Sequence, residues 1–361
     1  MEVHLITGFP GFIASQLVRQ LINDGVTAHF YAIVLAPEMN KAKREKEQIE
    51  AQYPNCSIEL IEGDITLPNL GVDHEQCDKM ISNIHVVWHL AAIYDLAVPR
   101  EIAWKVNVHG TDCVNEFVKT LPNLRRYMYF STAYVAGRRT GKLLETELVR
   151  PTSFKNYYEE TKYEAELLVD DLKPQVPVTI IRPGIVRGNS ITGETLKFDG
   201  PYFFMNLIDT LKWMPFIPFV GSKITEMNVV PIDYIFKASS YLCQAPEAEG
   251  KTLHLTDPNP HTVYEVFKAM VKAMTGKNPV GRFPLYLTRK ALAIYGIRKR
   301  LGVEYETLDY LDWRASFDCS QAKGILQKGG ITCPDFVETM PQTVKFYKEN
   351  KHRKELHVPI K

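Results

Sequence analysis

The sequence has few cysteines, almost no net charge and no metal-binding histidine pattern. Its six cysteines are scattered and form no CxxC pair, which predicts reduced thiols in a cytoplasmic protein rather than a disulfide framework or a zinc site. The 43 Lys and Arg residues stand against 42 Asp and Glu, a formal charge of +1, and this overall balance gives no support for broad nucleic-acid or anionic-membrane binding. The ten histidines show neither HxH nor HExxH spacing, so we predict no metal site.

Long hydrophobic runs are also lacking. The most apolar stretch, residues 201–220, is interrupted by Asp209, Lys212 and two prolines, so we expect no transmembrane helix. A strand-like run at residues 3–7 follows the first two residues directly, which leaves no room for a signal peptide. With 45% hydrophobic and 24% charged residues over 361 positions, the composition is that of a globular protein of one large or two modest domains.

The sequence does contain an alternation of short β-branched runs and longer segments of helical period, typical of βαβ units and a parallel sheet. We predict strands at residues 3–7, 28–35, 57–61, 85–89, 126–130 and 178–182, and helices at residues 12–23, 41–52, 104–121 and 158–172. A further strand, helix and strand are predicted at residues 229–231, 232–243 and 252–255. The expected fold is α/β, a Rossmann-type doubly wound parallel sheet with a smaller, mainly helical C-terminal lobe.

A turn with two glycines joins the first strand to the first helix. It consists of Thr7, Gly8, Phe9, Pro10, Gly11, Phe12 and Ile13, followed by the small Ala14. Glycines let the backbone approach a pyrophosphate, and the amides of the helix N-terminus stabilise its charge. A plain strand-to-helix turn is the alternative, but the order of strand, turn and helix favours a dinucleotide site.

The end of the second strand informs the choice of dinucleotide. NAD-binding proteins often place an acid there for the ribose 2′-hydroxyl, whereas this strand ends near Leu35 without one. Lys41, Lys43 and Arg44 follow and could neutralise a 2′-phosphate, which favours NADP(H) over NAD(H). A solvated helix face is the alternative for each of these cations, since Glu residues alternate with them.

Two other strand ends are predicted to contact the same ligand. Asp64 and Ile65 follow the third strand, where a short acid could hold the adenine amino group, although a turn or cap is the alternative. Leu90, Ala91 and Ala92 follow the fourth strand, and their small side chains would let the dinucleotide approach the backbone.

Tyr158 and Lys162 are spaced to lie one turn apart on one helix face. An ammonium near a phenol lowers the pKa of the phenol and fits it for proton exchange with a substrate oxygen. Ser131 and Thr132 end the fifth strand, at the sheet edge that carries the glycine turn, so a hydroxyl can join the tyrosine there. A chance YxxxK match is the alternative, and the accompanying glycine turn and strand-end hydroxyls argue against it.

These motifs resemble those of the extended short-chain dehydrogenase/reductases. The resemblance is carried, in order over about the first 260 residues, by TGFPGFIA at 7–14, GDI at 63–65, HLAA at 89–92, NVHGT at 107–111, FSTAYVAG at 130–137, YEETK at 158–162 and RPG at 182–184. RPGIVRGNSITGE at 182–194 and VVPIDYI at 229–235 are most similar to thioester reductase domains and fatty acyl-CoA reductases.

The resemblance implies roles for individual residues. Tyr158 matches the catalytic acid/base, Lys162 the partner that lowers its pKa and bonds the nicotinamide ribose, and Thr132 the hydroxyl that polarises the carbonyl. Asn107 matches the asparagine that supports a proton relay or a helix bend. The turn that borders the nicotinamide is matched by Pro183, Gly184 and Ile185.

The resemblance also divides the chain. Residues 1–190, with 226–258 returning to them, are expected to form the NAD(P)-binding Rossmann domain, and residues 191–225 and 259–347 the substrate lobe. Residues 348–361 are expected to be a charged tail that frays. Homodimers are common in this family.

The predicted function is an NAD(P)H-dependent reductase of a carbonyl in an acyl thioester, aldehyde or ketone. Aromatic residues crowd the segment from Phe198 to Phe219, with Phe203 and Trp213 as examples, and favour a hydrophobic small-molecule substrate; packing of the smaller lobe is the alternative.

An NAD-dependent nucleotide-sugar epimerase is the second hypothesis, and a cofactor-sensing regulator the third. The sequence departs from related families at two places. Leu35 stands where many acyl reductases have an arginine for the 2′-phosphate, which weakens the prediction of NADP(H). Ala133-Tyr134 stand where sugar-nucleotide dehydratases have an Asp-Glu pair, so elimination of water has no obvious catalyst.

Overall fold

The computed structural model describes residues 2–95 and 98–360. Its strands are β1 (Val3–Thr7), β2 (His29–Val34), β3 (Ser57–Glu62), β4 (Ile84–His89), β5 (Arg126–Phe130), β6 (Gly141–Leu143), β7 (Val178–Pro183), β8 (Ile185–Arg187), β9 (Phe219–Val220), β10 (Val229–Pro231), β11 (Thr252–Leu255), β12 (Arg282–Phe283) and β13 (Ala315–Phe317). Seven of them form one parallel sheet in the order β11-β7-β5-β4-β1-β2-β3. The chain winds outward in both directions from β1, which confirms the predicted doubly wound Rossmann-type sheet.

The helices lie on both faces of this sheet and in a second lobe. They are α1 (Phe12–Asn23), α2 (Met39–Gln52), α3 (His74–Ile81), α4 (Arg100–Ala103), α5 (Gly110–Lys119), α6 (Tyr157–Asp170), α7 (Tyr202–Leu211), α8 (Ile232–Gln244), α9 (Val263–Thr275), α10 (Leu285–Ala293), α11 (Tyr295–Leu301), α12 (Ser320–Lys328) and α13 (Met340–Asn350). A π-helical segment, Trp104–His109, connects α4 to α5. Within the described ranges, none of these helices combines the length and apolarity needed to cross a bilayer.

Alternating side chains of the strands build two cores. Ile6, Trp88 and Met128 point to one face, where they pack with α1 and α8. Their neighbours Leu5 and Val87 point to the other face, where α5 and α6 cover them. Because both faces are buried, the strands are apolar throughout, as expected for a parallel sheet.

The chain returns to the sheet after a first excursion into the second lobe. Strand β10 pairs in parallel with β8 outside the main sheet, whereas β11 pairs with β7 at its edge. Helix α8 between them packs on α1. Residues 229–255 thus complete the sheet domain, with β8 and β10 beside it.

A separate apolar cluster forms the second lobe, mainly from α7, α9 and α13. The end of the chain packs against it: Leu356 is buried, and the amide of Phe198 donates to the Leu356 carbonyl at 2.6 Å. The expectation of a frayed tail is therefore wrong for this stretch, because Leu356 interrupts the run of charges and supplies an apolar contact.

Candidate active site

The glycine turn forms one end of a large cavity of about 1090 Å³. Gly8 has φ +88°, and a Cβ added there would lie 2.8 Å from the Ala91 amide nitrogen. A Cβ on Gly11 would lie 2.7 Å from the Gly8 carbonyl oxygen. Glycine is thus required at both positions for the turn to fold closely against the end of β4.

The first turn of α1 is suited to a phosphate group. Gly11 precedes it without a side-chain cap, and the first turn contains no acidic residue. Phe12, Ile13 and Ala14 line the cavity, and the backbone N–H groups of a first turn have no partner within their own helix. Free amides, a positive helix end and close backbone approach together fit the pyrophosphate of a dinucleotide.

The structure brings most of the predicted cofactor residues to this cavity. Those that line it are Gly8, Gly11, Phe12, Ile13, Leu90, Ala91, Ala92, Tyr158, Lys162, Pro183, Gly184 and Ile185. A Cβ on Gly184 would lie 2.7 Å from the Asn228 side-chain oxygen, so this turn also requires a glycine.

Other predicted cofactor residues are not among the cavity-lining residues. Phe9 and Ile65 are buried in the two cores of the sheet domain, and Pro10 is buried beside Phe9. The carboxylate of Asp64 accepts from the Thr66 amide at 2.8 Å, the turn role that was the alternative. The Thr7 side chain is fully buried beneath the turn.

Most of the predicted cofactor residues at and after the end of the second strand also lie outside the cavity lining. Leu35 is half exposed at the start of a short 3₁₀ turn, and Lys43 is exposed on α2. Neither lines the cavity, whereas Lys41 does. The Lys41 ammonium lies 3.7 Å from the Glu38 carboxylate. Of the cations at the start of α2, Lys41 is thus the one that lines the cavity.

Tyr158 and Thr132 meet in the middle of the cavity wall. Asn156 caps α6 by accepting from the Glu159 amide at 2.9 Å, which places Tyr158 in the first turn. Both side chains line the cavity. Burial raises the pKa of the Tyr158 phenol, and the nearby Thr132 hydroxyl opposes this rise. Thr132 accepts a hydrogen bond from the Tyr134 amide at 3.3 Å.

Lys162 lies one turn further along α6. Its ammonium donates to the Phe130 carbonyl at 2.6 Å and to the Tyr129 hydroxyl at 3.0 Å, rather than to the phenol of Tyr158. Burial lowers the pKa of Lys162 to about 7, against the opposing effect of Glu166. The side chain therefore lies at the cavity with a proton that it can release near neutral pH.

Asn107 connects the loop after β4 to α6. It lies in the π-helical segment, where its side-chain oxygen accepts from the Ile93 amide at 2.8 Å and its amide donates to the Thr161 hydroxyl at 3.0 Å. Segments of π-helix often mark functional sites because they redirect one side chain. Asn107 is buried behind the cavity and is not one of the residues that line it.

A buried chain of hydrogen bonds supports the glycine turn. The Ala91 amide donates to Thr7, whose hydroxyl lies 2.8 Å from Nδ1 of His89. Nε2 of His89 lies 3.0 Å from the Thr111 hydroxyl, which itself donates to the Asn107 carbonyl. Burial lowers the pKa of His89 to about 3. The imidazole is thus neutral and links the turn to the π-helical segment.

Sequence reasoning missed a buried ionic network beside the hydroxyls of Ser131 and Thr132. The Ser131 hydroxyl donates to the Glu166 carboxylate, and Arg182 donates to the same carboxylate at 2.5 and 2.8 Å. His254 lies 3.2 Å from Arg182. The available signal was the position of Glu166, four residues after Lys162 on the same face of α6.

A buried lysine was also missed. The Lys155 ammonium lies 3.6 Å from the centroid of the Trp313 ring and donates to the Gly137 carbonyl at 2.5 Å. The Glu159 carboxylate is 3.4 Å from it and accepts from the Tyr310 hydroxyl at 2.7 Å. Tyr310 lines the cavity, so this network fixes one wall of the site.

Beyond Tyr158 the cavity becomes apolar and enters the second lobe. Its walls there include Phe203, Phe204, Leu207, Met214, Val220, Phe283, Leu292 and Leu308. Asp199 lines the same region, and burial raises the pKa of this carboxyl to about 6. Trp213, which the sequence placed with the pocket aromatics, is 79% exposed and does not line the cavity.

The sheet, the glycine turn and the strand-end hydroxyls define a dinucleotide-binding α/β domain with a catalytic-type Tyr, Lys and Thr arrangement. Residues 6–239 match the family described as male sterility protein, an NAD-binding family. The chain therefore belongs to this family, and the predicted membership of the extended short-chain dehydrogenase/reductases and the predicted nicotinamide cofactor are confirmed.

Curated relatives are consistent with this family. "Fatty acyl-CoA reductase wat" of Drosophila melanogaster is 26% identical over 270 residues, which are 64% of this chain and 52% of the relative. "Non-canonical nonribosomal peptide synthetase cpsA" of Aspergillus campestris is 25% identical over 74% of this chain and 27% of its own length. The chain spans about half the length of the fatty acyl-CoA reductases it matches.

Solved structures share the fold over almost the whole chain. The terminal R domain of the myxalamid PKS-NRPS pathway has a TM-score of 0.83 at 24% identity, covering 98% of this chain and 92% of that one. UDP-glucuronic acid 4-epimerase from Bacillus cereus has a TM-score of 0.66 at 19% identity, covering 96% and 99%. The reductase-type domain is thus the better structural match of the two.

Proposed function

We propose that the protein is an NAD(P)H-dependent reductase that delivers hydride to the carbonyl of a hydrophobic acyl substrate: a thioester, an aldehyde or a ketone. The observation that carries the proposal is the position of the Thr132–Tyr158 pair. It lies where the glycine turn and the apolar wall of the second lobe share one cavity.

The chain's own residues account for the polar part of the reaction. When a dinucleotide is bound with its pyrophosphate at the glycine turn, its nicotinamide supplies the hydride. Thr132 and Tyr158 both direct hydroxyl donors at one point, where they stabilise a carbonyl oxygen as it gains negative charge. Tyr158 then transfers its phenolic proton to that oxygen.

Lys162 acts next to this proton transfer rather than through a direct bond to the phenol. With a pKa of about 7, the ammonium can lose or regain a proton within the physiological range, which suits it to restoring the Tyr158 proton between turnovers. Asn107 positions the loop after β4 and α6 relative to one another. This role of Lys162 differs from the one that the family resemblance implies, which is to lower the pKa of Tyr158 and bond the nicotinamide ribose.

The substrate class rests on the second half of the cavity. Its aromatic and aliphatic walls suit an acyl chain, and Arg187, Lys197 and Arg353 also line the cavity. Lys41 at the dinucleotide end supports a preference for NADP(H). The six free thiols support a cytoplasmic location.

The direct test measures NADPH and NADH oxidation with acyl-CoAs, aldehydes and ketones of graded chain length. We expect turnover that increases with chain length and is faster with NADPH. A purified protein that retains a nicotinamide, interconverts UDP-sugars and oxidises neither cofactor would instead be an epimerase, and the reductase proposal would be wrong.

A further inference from the structure

The outer surface of the second lobe exposes a group of large apolar side chains. They lie in residues 211–224 and 277–301, which we call the apolar-basic face. The exposed members are Trp213, Phe216, Ile224, Val280, Tyr286, Ile294 and Tyr295, with exposed fractions of 48–79%. None of these seven lines the cavity, so their exposure is to the outside of the protein.

The two segments of the apolar-basic face are held side by side. Strand β9 pairs with β12 through Phe219 and Arg282, and the Lys277 ammonium donates to the Met214 carbonyl at 3.2 Å. Helix α11 contacts α7 and α10. Large apolar side chains exposed on adjoining segments are typical of an interaction surface.

The same two segments are strongly and exclusively basic. They contain nine Lys and Arg residues and no Asp or Glu, in a chain whose total charge is +1. Lys212 and Arg289 form ion pairs with Asp209 and Asp309, which lie outside the two segments. Lys299 and Arg300 are exposed in the last turn of α11. The face therefore attracts a negatively charged partner.

The apolar-basic face also forms the outer side of the cavity wall. Met214, Phe283, Thr288 and Ala291 belong to the same two segments and line the cavity. Phe283 is 41% exposed. A partner that covers this face therefore lies next to the apolar end of the cavity.

We propose that the apolar-basic face docks on the surface of an anionic phospholipid bilayer. Basic side chains pair with anionic headgroups, while Trp and Tyr side chains, with an apolar body and a polar tip, are suited to the membrane interface. Scattered exposed aliphatic residues such as Val280 and Ile294 fit a fluid apolar phase, which needs no matched pockets. This proposal rests on the proposed function. Docking would let an apolar substrate pass from the bilayer into the cavity without crossing water.

The experiment is co-sedimentation of the whole protein with vesicles of phosphatidylcholine alone or mixed with phosphatidylserine. We expect binding to the mixed vesicles that weakens as salt rises, and little binding to phosphatidylcholine. The double variant Lys299→Glu with Arg300→Glu should bind at least about 30-fold more weakly, since each basic residue near the surface contributes a factor of about five in affinity. Trp213→Ser with Tyr286→Ser should also bind more weakly, with the salt dependence kept.

Lys79→Glu with Lys119→Glu is the matched control, because it makes the same charge change on the sheet domain; it should bind as the unchanged protein does. Equal losses in the two charge-reversal variants, or no binding to the mixed vesicles, would overturn the proposal. Capture of an acidic acyl carrier protein through Lys299 and Arg300, without vesicle binding, would make the face a carrier site and would also overturn it. Vesicle binding needs no turnover, so its failure leaves the proposed reductase activity independently testable.

Discussion

Tyr158 and Thr132 line the same cavity, and the Thr132 hydroxyl is near enough to the Tyr158 phenol to oppose the rise that burial causes in its pKa. The two groups come from different elements, the first turn of α6 and the end of β5. In the proposed mechanism both contact one point, the position that a substrate oxygen would occupy. This relationship leads directly to the first two predictions.

Tyr158→Phe is expected to lower kcat by about 10²–10⁴-fold, because it removes the proton donor and keeps the ring. Nicotinamide affinity, measured by fluorescence titration, should remain nearly unchanged. Tyr157→Phe provides the control, since it removes a hydroxyl from the adjacent, 45% exposed tyrosine and should keep full activity. A Tyr158→Phe protein that retains most of its turnover would refute the assignment.

The neighbouring hydroxyls of Ser131 and Thr132 should have separable effects. Thr132→Val should lower kcat by about 10²–10³-fold, as loss of an oxyanion donor does, while Thr132→Ser keeps most activity. Ser131→Ala leaves Glu166 short of one buried hydrogen bond and should lower the free energy of unfolding by about 1–3 kcal/mol. Urea unfolding and steady-state kinetics distinguish the two effects. A Ser131→Ala variant with the larger kinetic defect would reverse the assignment.

The parts of the site that follow a strand end were predictable, because parallel strands bring their carboxyl ends to one edge. Thr132 and the glycine turn are examples. Lys41 lines the cavity and Lys43 does not, because residues two positions apart on α2 lie on different faces of the helix. Glu166 was missed because its partner Arg182 lies on β7, a contact that only the tertiary fold creates. Trp213 was misplaced because periodicity does not show which side of a lobe faces a cavity.

Lys41→Ala should raise the KM for NADPH by up to about fivefold and leave the KM for NADH nearly unchanged. The expected size is modest because the Lys41 side chain is 62% exposed, where one ion pair contributes about 1 kcal/mol or less. Lys43→Ala, two residues away and outside the cavity, should change neither KM. Equal effects of the two substitutions, or equal effects on the two cofactors, would argue against a 2′-phosphate contact at Lys41.

The buried imidazole of His89 should make stability depend on pH. Its pKa is about 3 in the folded protein and 6.5 as the reference value, so between these values the unfolded chain binds more protons. Stability then falls as pH falls from 6.5 toward 3, by up to about 1.4 kcal/mol per pH unit from this group. Denaturant midpoints of His89→Gln should show a shallower acid dependence. The exposed His74→Gln should keep the original dependence, and an unchanged slope in His89→Gln would contradict the prediction.

Phe203 and Trp213 provide a test of which aromatic residues contact substrate. Phe203 is buried and lines the cavity, whereas Trp213 lies outside it. Phe203→Ala should raise the KM for long-chain substrates more than for short ones, because the lost wall contacts only the distal part of the chain. In vesicle-free buffer Trp213→Ala should leave both KM values unchanged. If Phe203→Ala affects short and long substrates equally, the acyl chain does not occupy this half of the cavity.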